Sequence, residues 1–482
     1  MWTFWTCRLN RFYVLVRELV GARSVDFAVA MRGVVLNRSI AILFVLVFLS
    51  ANAVAQGKAL VSFPGAEGNG AISPGGRGGD VHLVTNLNDS GVGSLREGCE
   101  AEGRRIVVIN VSGVIELESP IEVRNPFITV AGQVAPGDGV CLKNYGLHIS
   151  ASDVVVRYLR IRPGDAPGEK LLGIGIADAE RVVIDHCSIS WTTGSAVAVK
   201  GSSRDITVQW CMITESLYDA EARDLKRGTG INLSANSTFS FHHNYIAHHK
   251  KSGPMIDGPS SRPEALLDFR NNMVYDWGTS VAEESGSPFT RCNLVRNIYK
   301  AGTSTAAEAQ ARVFRLRSFS SKIHFEGNEL VGSEMGTANN FLMLQMPDRF
   351  SNRHHGDMLK LDGPFHAEPV RTLQTSTALR HVLAESGASK PGRDAVDTRL
   401  IAQYRLGAGR LIADPLEVGG WPEYEMVDPP LDSDRDGMPD EWEVDHDLDP
   451  TNRADSASDR DDDGYTNIEE FLNSNAPDRL NR

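Results

Sequence analysis

Two stretches near the C-terminus carry the residue types and spacing of a cation site. Asp432, Asp434, Asp436, Gly437, Asp440 and Glu443 occupy loop positions one, three, five, six, nine and twelve. Asp459, Asp461, Asp463, Gly464, Asn467 and Glu470 repeat the pattern. This is the EF-hand arrangement: hard oxygen ligands suit Ca²⁺, glycine permits the sharp turn, and the last glutamate can bind through both oxygens. A merely solvated acidic tail would not keep six positions twice. Helices are expected only after each loop, so the pair reads as a short structural calcium module. Upstream, His242, His243, His248 and His249 run into Lys250 and Lys251, and Arg262 precedes Pro263. Those basic side chains could hold an anionic ligand or move a proton. Glu215, Asp219, Glu221 and Asp224 lie in the same part of the chain.

Such groups need a scaffold, and the middle of the chain supplies one by repetition. Apolar residues alternate, a small residue or Asn marks a bend, and another apolar residue follows. The pattern starts at Val154, Val182, Ile206, Phe239, Leu267, Cys292 and Ile323, with spacings of 28, 24, 33, 28, 25 and 31 residues. Period-two alternation followed by a bend is a strand turning a corner into a second strand. Units of this length that cannot bury their own apolar face must stack. The expected fold is therefore all-β, a right-handed parallel β-helix. Asn244, Asn272, Asn297 and Asn328 recur at the bend, where side-chain amides can satisfy buried backbone groups of the next coil. Cys187 and Cys211 hold the same position and are read as core fillers.

Composition agrees. The 482 residues include 45 glycines, aromatics make up 7%, and formal net charge is −13. Nucleic acid is excluded as a partner, because phosphate binding needs a basic surface. Six cysteines in a chain this long are no disulfide framework. Arg32 and Arg38 precede the apolar run 40–49 and Ala53-Val54-Ala55, the form of a secretory signal peptide cleaved after Ala55, with Met31 as the expected start. Residues 1–55 are thus a presequence, 56–426 the β-helix and 427–482 the calcium module, separated by Pro429-Pro430. Residues 59–150 are expected to form the N-terminal cap and first coils, with Gly75–Gly79 a turn, and 335–426 an irregular wrapping and C-terminal cap. The mature protein is expected to be a secreted monomer, extracellular or periplasmic, free of the membrane.

The body resembles the pectate lyase family (polysaccharide lyase family 1). Phe63-Pro64-Gly65-Ala66-Glu67-Gly68, Gly93-Ser94-Leu95-Arg96, Ile184-Asp185-His186-Cys187-Ser188, Gln209-Trp210-Cys211, Phe241-His242-His243-Asn244 and Phe269-Arg270-Asn271-Asn272 carry the resemblance over roughly 60–420, and the acidic double loop suggests a secreted bacterial member. The resemblance implies β-elimination of α-1,4-linked polygalacturonate or a related acidic plant or algal polysaccharide. In that family Ca²⁺, held by carboxylates, bridges to the uronate and acidifies its C5 proton, and an arginine is the base. Carried over residue by residue, Gly194 and Ser195 stand where carboxylates are expected. Ser252 stands at the arginine position, in Lys250-Lys251-Ser252-Gly253-Pro254. Lys251, Lys250 or Arg262 is then expected to replace the arginine, with His186, His243 and His249 contacting substrate. Glu215, Asp219, Glu221 or Asp224 could restore the cation site. The alternative implied by the same departures is a non-catalytic carbohydrate-binding β-helix.

Overall fold

A computed structural model describes residues 60–474, except 220, 222–224, 236–237, 258–264, 286–290, 317–321, 346–360 and 362. The presequence and Arg262 lie outside these residues. Three parallel sheets of ten, nine and nine strands wind about a common interior. Each turn gives one strand to each sheet in order, as Glu180–Asp185, Ser188–Ser190 and Ser195–Gly201 do. The result is a right-handed parallel β-solenoid of about nine turns.

The residues that start the seven sequence repeats are successive partners in the first sheet. Val154 pairs with Val182, and the column continues through Ile206, Phe239, Leu267 and Cys292 to Ile323. It extends upstream through Ile128 to Arg105, so earlier coils without the repeat signature still join in register. Gly75–Gly79 is a turn, as expected. A Cβ at Gly76 would sit 1.8 Å from the Arg105 carbonyl oxygen, an approach only glycine permits.

The corner between the first and second sheets is built by two columns. His186, Trp210, His243, Asn271, Arg296 and Gly327 all have left-handed backbones, with φ between 50° and 62°. For a non-glycine residue that costs roughly 1–2 kcal/mol. The next residue in each turn supplies a compensating bond. The Asn272 side-chain oxygen accepts from the Asn244 N–H at 3.1 Å, and its amide nitrogen donates to the Phe241 carbonyl at 2.7 Å. Asn297 and Asn328 repeat this, Asn340 closes the ladder, and Cys211 and Cys187 extend it at the other end.

Among the described residues, two of the three outer faces are covered. Residues 61–71 cross the first sheet, with Phe63, Ala66 and Ala71 packed on Val155 and Val183. The segment around Phe365 and Leu373 continues over it, bonded to Asn293 and Asn271. The second sheet carries two helices, Thr375–Glu385 and Ala395–Leu406, where the sequence suggested irregular wrapping. Asp394 caps the second of these and Gly407 ends it in a left-handed turn. Val396, Leu400, Ile401 and Tyr404 pack on Met212, Tyr245, Met273 and Tyr275. Buried Arg160 and Arg162 project from the sheet to Asp394 and Asp397. The third sheet keeps partly or fully exposed outward residues, among them Glu122, His148, Ala198, Lys200, Asn232 and Ser234.

Removing one rung tests the ladder. Asn272→Ala leaves the Asn244 N–H and the Phe241 carbonyl buried and unsatisfied. It should lower stability by about 2–5 kcal/mol, read as a fall in the urea midpoint at unchanged slope. A shift within about 0.5 kcal/mol, as for an ordinary surface change, would show that the ladder contributes nothing.

Candidate functional site

The exposed flank is organised where the chain enters the third sheet. Ser195 pairs with Thr229, Thr229 with Lys251, and Lys251 with Ser280, a row crossing four turns. The Lys251 N–H donates to Gly228 and its carbonyl accepts from Gly230, both at 2.9 Å, so the backbone is fixed on that side. Ser252, at the position where the family resemblance expects arginine, is fully buried. An outward side chain at this level of the wall therefore comes from Lys251. Its ammonium lies 3.6 Å from Glu283, whose other oxygen is 3.7 Å from Arg315. Two partly exposed cations thus share a carboxylate that is itself buried.

Lys250 is positioned by glycines. A Cβ at Gly228 would lie 2.8 Å from Lys250 Cβ, and one at Gly278 would lie 2.9 Å from Lys250 Cδ, so both neighbours must lack side chains for the stem to pass. Its Nζ sits 4.8 Å from the centre of the Tyr218 ring, a cation–π contact. Tyr218 belongs to a hairpin inserted in the long 206–239 coil, where it pairs with Arg227.

Glu215 and Asp219 of that coil are engaged elsewhere. Glu215 is fully buried and accepts from both Arg399 nitrogens, at 2.7 and 2.9 Å, and from the Trp191 indole at 2.9 Å. Its carboxyl is destabilised by burial, but the Arg399 bonds outweigh this and hold it below the ordinary range. Asp219 accepts from the Glu221 N–H at 2.8 Å and shapes the exposed hairpin; Asp224 lies outside the described residues. Gly194 and Ser195 offer no carboxylate. Among the described residues this flank has no trio of metal-binding side chains. The cation cage implied by the family resemblance therefore does not fit these residues.

The three histidines expected to touch substrate are instead buried parts of the wall. His186 lies between Tyr158 and Trp210, ring centroids 4.6 and 6.0 Å away, with Nδ1 2.8 Å from Asp185. His243 continues the stack on Trp210 at 4.3 Å. Both belong to the corner between the first and second sheets, whereas Lys251 stands between the second and third. His249 is fully buried. Its Nε2 is 2.9 Å from the Ile213 carbonyl and its Nδ1 accepts from the Ser216 N–H at 3.2 Å. Burial pushes its pKa down to about 4, so it remains neutral.

The acidic loops form two clusters against the first sheet. Asp432, Asp434 and Asp436 bring ligand oxygens within 4.8 Å of one another, and so do Asp436, Glu443 and Asp455. Asp459, Asp461 and Asp463 form the second group. Burial, reinforced by neighbouring carboxylates, pushes Asp436 up to about 7 and Glu443 up to about 8. Burial and the charges of Asp461 and Asp463 likewise raise Glu470. Asp440, expected at the ninth position, instead accepts from the Ser433 N–H and hydroxyl at 2.7 Å. Asp455 was not singled out because it comes from the linker between the loops rather than from either loop. Short helices, Asp440–Asp445 and Asn467–Ser474, begin at the ninth position of each loop rather than after it.

A family model described as "Right handed beta helix region" matches residues 143–334. A protein of Aspergillus terreus named "Probable pectate lyase C" is 35% identical over 432 residues, covering 87% of this chain and 95% of its own. Its namesake from Aspergillus flavus is 34% identical over 428 residues, with the same coverage. Among solved structures, the pectate lyase Bsp165PelA from Bacillus sp. N165, in complex with trigalacturonate, has 16% identity and a TM-score of 0.46. That match covers 67% of this chain and 98% of that one. The curated relatives over most of the chain are fungal, which corrects the expectation of a bacterial type. On the extent and identity of those matches, this chain belongs to the pectate lyase family.

Proposed function

We propose that this protein is a secreted polysaccharide lyase. It cleaves α-1,4-linked polygalacturonate, or a closely related uronate polymer, by β-elimination along the flank of the third sheet. The observation that carries the reading is Lys251, an outward cation on a wall whose next residue, Ser252, is turned inside. Family membership supports the reaction class, and the apolar run 40–49 behind Arg32 and Arg38 supports secretion. Among the described residues no helix is long and apolar enough to cross a membrane.

An acidic polymer meeting a chain of net charge −13 needs a local cationic patch. Lys250, Lys251 and Arg315 form one, with Glu283 holding Lys251 and Arg315 in place. In this reading Lys250 and Arg315 draw the uronate carboxylate, and Lys251, having first released its own proton to solvent, takes the proton from C5 as the neutral amine. The electron pair left on C5 forms the new double bond to C4 as the bond from C4 to the glycosidic oxygen breaks. The departing oxygen takes a proton from water. No step is routed through a metal ion on this flank. Arg262, outside the described residues, remains a further candidate base.

The test is the ultraviolet absorbance of unsaturated product on a panel of uronate polymers. Lys251→Met should lower turnover by about 100-fold or more, the scale of a lost proton-transfer group. Lys250→Met should act mainly on KM. Turnover by the Lys251 variant at the parent rate would remove Lys251 from the chemistry, and no product on any polymer would sink the lyase reading. Because the patch is exposed, raising ionic strength through the physiological range should weaken oligogalacturonate binding. Affinity unaffected by salt would count against an electrostatic clamp.

A further inference from the structure

The acidic C-terminal segment is packed on the solenoid. Met438, Ile468, Phe471 and Leu472 share a core with Val81, Ile106, Val108 and Ala131 of the first-sheet strands. Arg77 places Nε 3.0 Å from both oxygens of buried Glu469. Arg453 donates to the Val81 carbonyl at 3.1 Å, and Arg157 to Asn473 at 3.0 Å. Whatever orders this segment also covers the edge where the solenoid begins.

Its two loops repeat one geometry. Gly437 and Gly464 have φ of 94° and 98°. Their N–H groups donate to the first aspartate of each loop, Asp432 and Asp459, at 3.0 and 2.9 Å. In each, the third aspartate accepts from the residue after the glycine, Met438 or Tyr465, at 2.9 and 2.8 Å. Several other oxygens are buried and left without a partner. Glu443 is fully buried and neither of its carboxylate oxygens has a hydrogen-bond partner. Asp436, also fully buried, has one such oxygen, and Asp434 and Asp455 each contribute another. In the second loop an Asp459 oxygen and the side-chain oxygen of Asn467, which is 1% exposed, are in the same state. A buried, unpaired carboxylate costs too much to persist without a counter-charge. Four aspartates and a glutamate meeting without a basic partner call for a hard cation.

We propose that the segment is a two-site Ca²⁺ clamp on the first turns of the solenoid. The first site is Asp432, Asp434, Asp436, Glu443 and Asp455; the second is Asp459, Asp461, Asp463, Asn467 and Glu470. Asp455 couples them, since its carboxylate belongs to the first site while its carbonyl accepts from Asn467 Nδ2 at 2.8 Å. Filling one site fixes a residue of the other, so the two ions bind cooperatively. Neither site involves Lys251, and the clamp stands whether or not the lyase reading does.

Calorimetry with Ca²⁺ alone on the full chain, stripped with EDTA, tests this alongside thermal melting. The expected result is two tail-dependent ions, cooperative binding and a raised melting temperature. Glu443→Gln removes the bidentate charge while keeping shape. It should weaken the first site by about 10-fold or more, since even residues behind a metal ligand are worth that much. It should abolish most of the Ca²⁺-induced rise yet melt no lower than the parent in EDTA, because it relieves repulsion in the empty site. Asp440→Asn should retain both ions. An undiminished rise in Glu443→Gln, or equal destabilisation of that variant with and without Ca²⁺, would overturn the assignment, as would absence of any binding heat.

Discussion

A turn of this solenoid cannot satisfy itself: its strands bond only to the turns on either side. Register is therefore the constraint on which the rest depends. It is enforced at the corner between the first and second sheets, where left-handed residues at His186, Trp210, His243, Asn271 and Arg296 bring Cys or Asn to the same spot each time. The amide ladder through Asn244, Asn272, Asn297, Asn328 and Asn340 passes each otherwise unpaired backbone group to the next turn. With register fixed there, differences in turn length, from 24 to 33 residues, are pushed out into loops. The hairpin around Tyr218 and Arg227 is where the longest turn spends its extra residues.

Lys251 inherits its place from that constraint. The same stacking that aligns Val182 with Ile206 aligns Thr229, Lys251 and Ser280 across the start of the third sheet. The N-terminal segment and the acidic module occupy the first sheet, and the helices around Tyr404 occupy the second. A chain with a large excess of negative charge thus leaves a flank on which Lys251 and Arg315 share a single buried carboxylate, with Lys250 against Tyr218 next in the chain. That is a surface on which a polyanion can lie without being repelled by the protein as a whole.

Much of the scaffold was legible because stacking is written directly into period and alternation. The starts Val154 to Ile323 are true partners, and the bend asparagines form the ladder their position suggested. The histidines sit inside the wall for a physical reason. Alternation along a strand assigns His242 and His243 to opposite faces, but His243 has φ of 57°, which rotates its side chain out of the strand pattern. The two Nδ1 atoms come within 3.0 Å, and the His243 ring stacks on Trp210. The helices over the second sheet escaped notice because their apolar faces are interrupted and their anchors, Asp394 and Asp397, belong to arginines over 200 residues earlier in the chain. In the acidic loops the twelve-residue spacing identified nearly every converging oxygen. It missed the exchange of Asp440 for Asp455, which depends on how the linker folds back.

The central claim is that the flank of the third sheet, at Lys251, is where an acidic saccharide lies. A crystal structure with a bound oligogalacturonate tests this directly. The account predicts sugar density along the third sheet, with a uronate carboxylate in contact with Lys250 or Arg315 and the C5 edge facing Lys251. Density seated at the Tyr158, His186, Trp210 and His243 corner, with the Lys251 row bare, would contradict it.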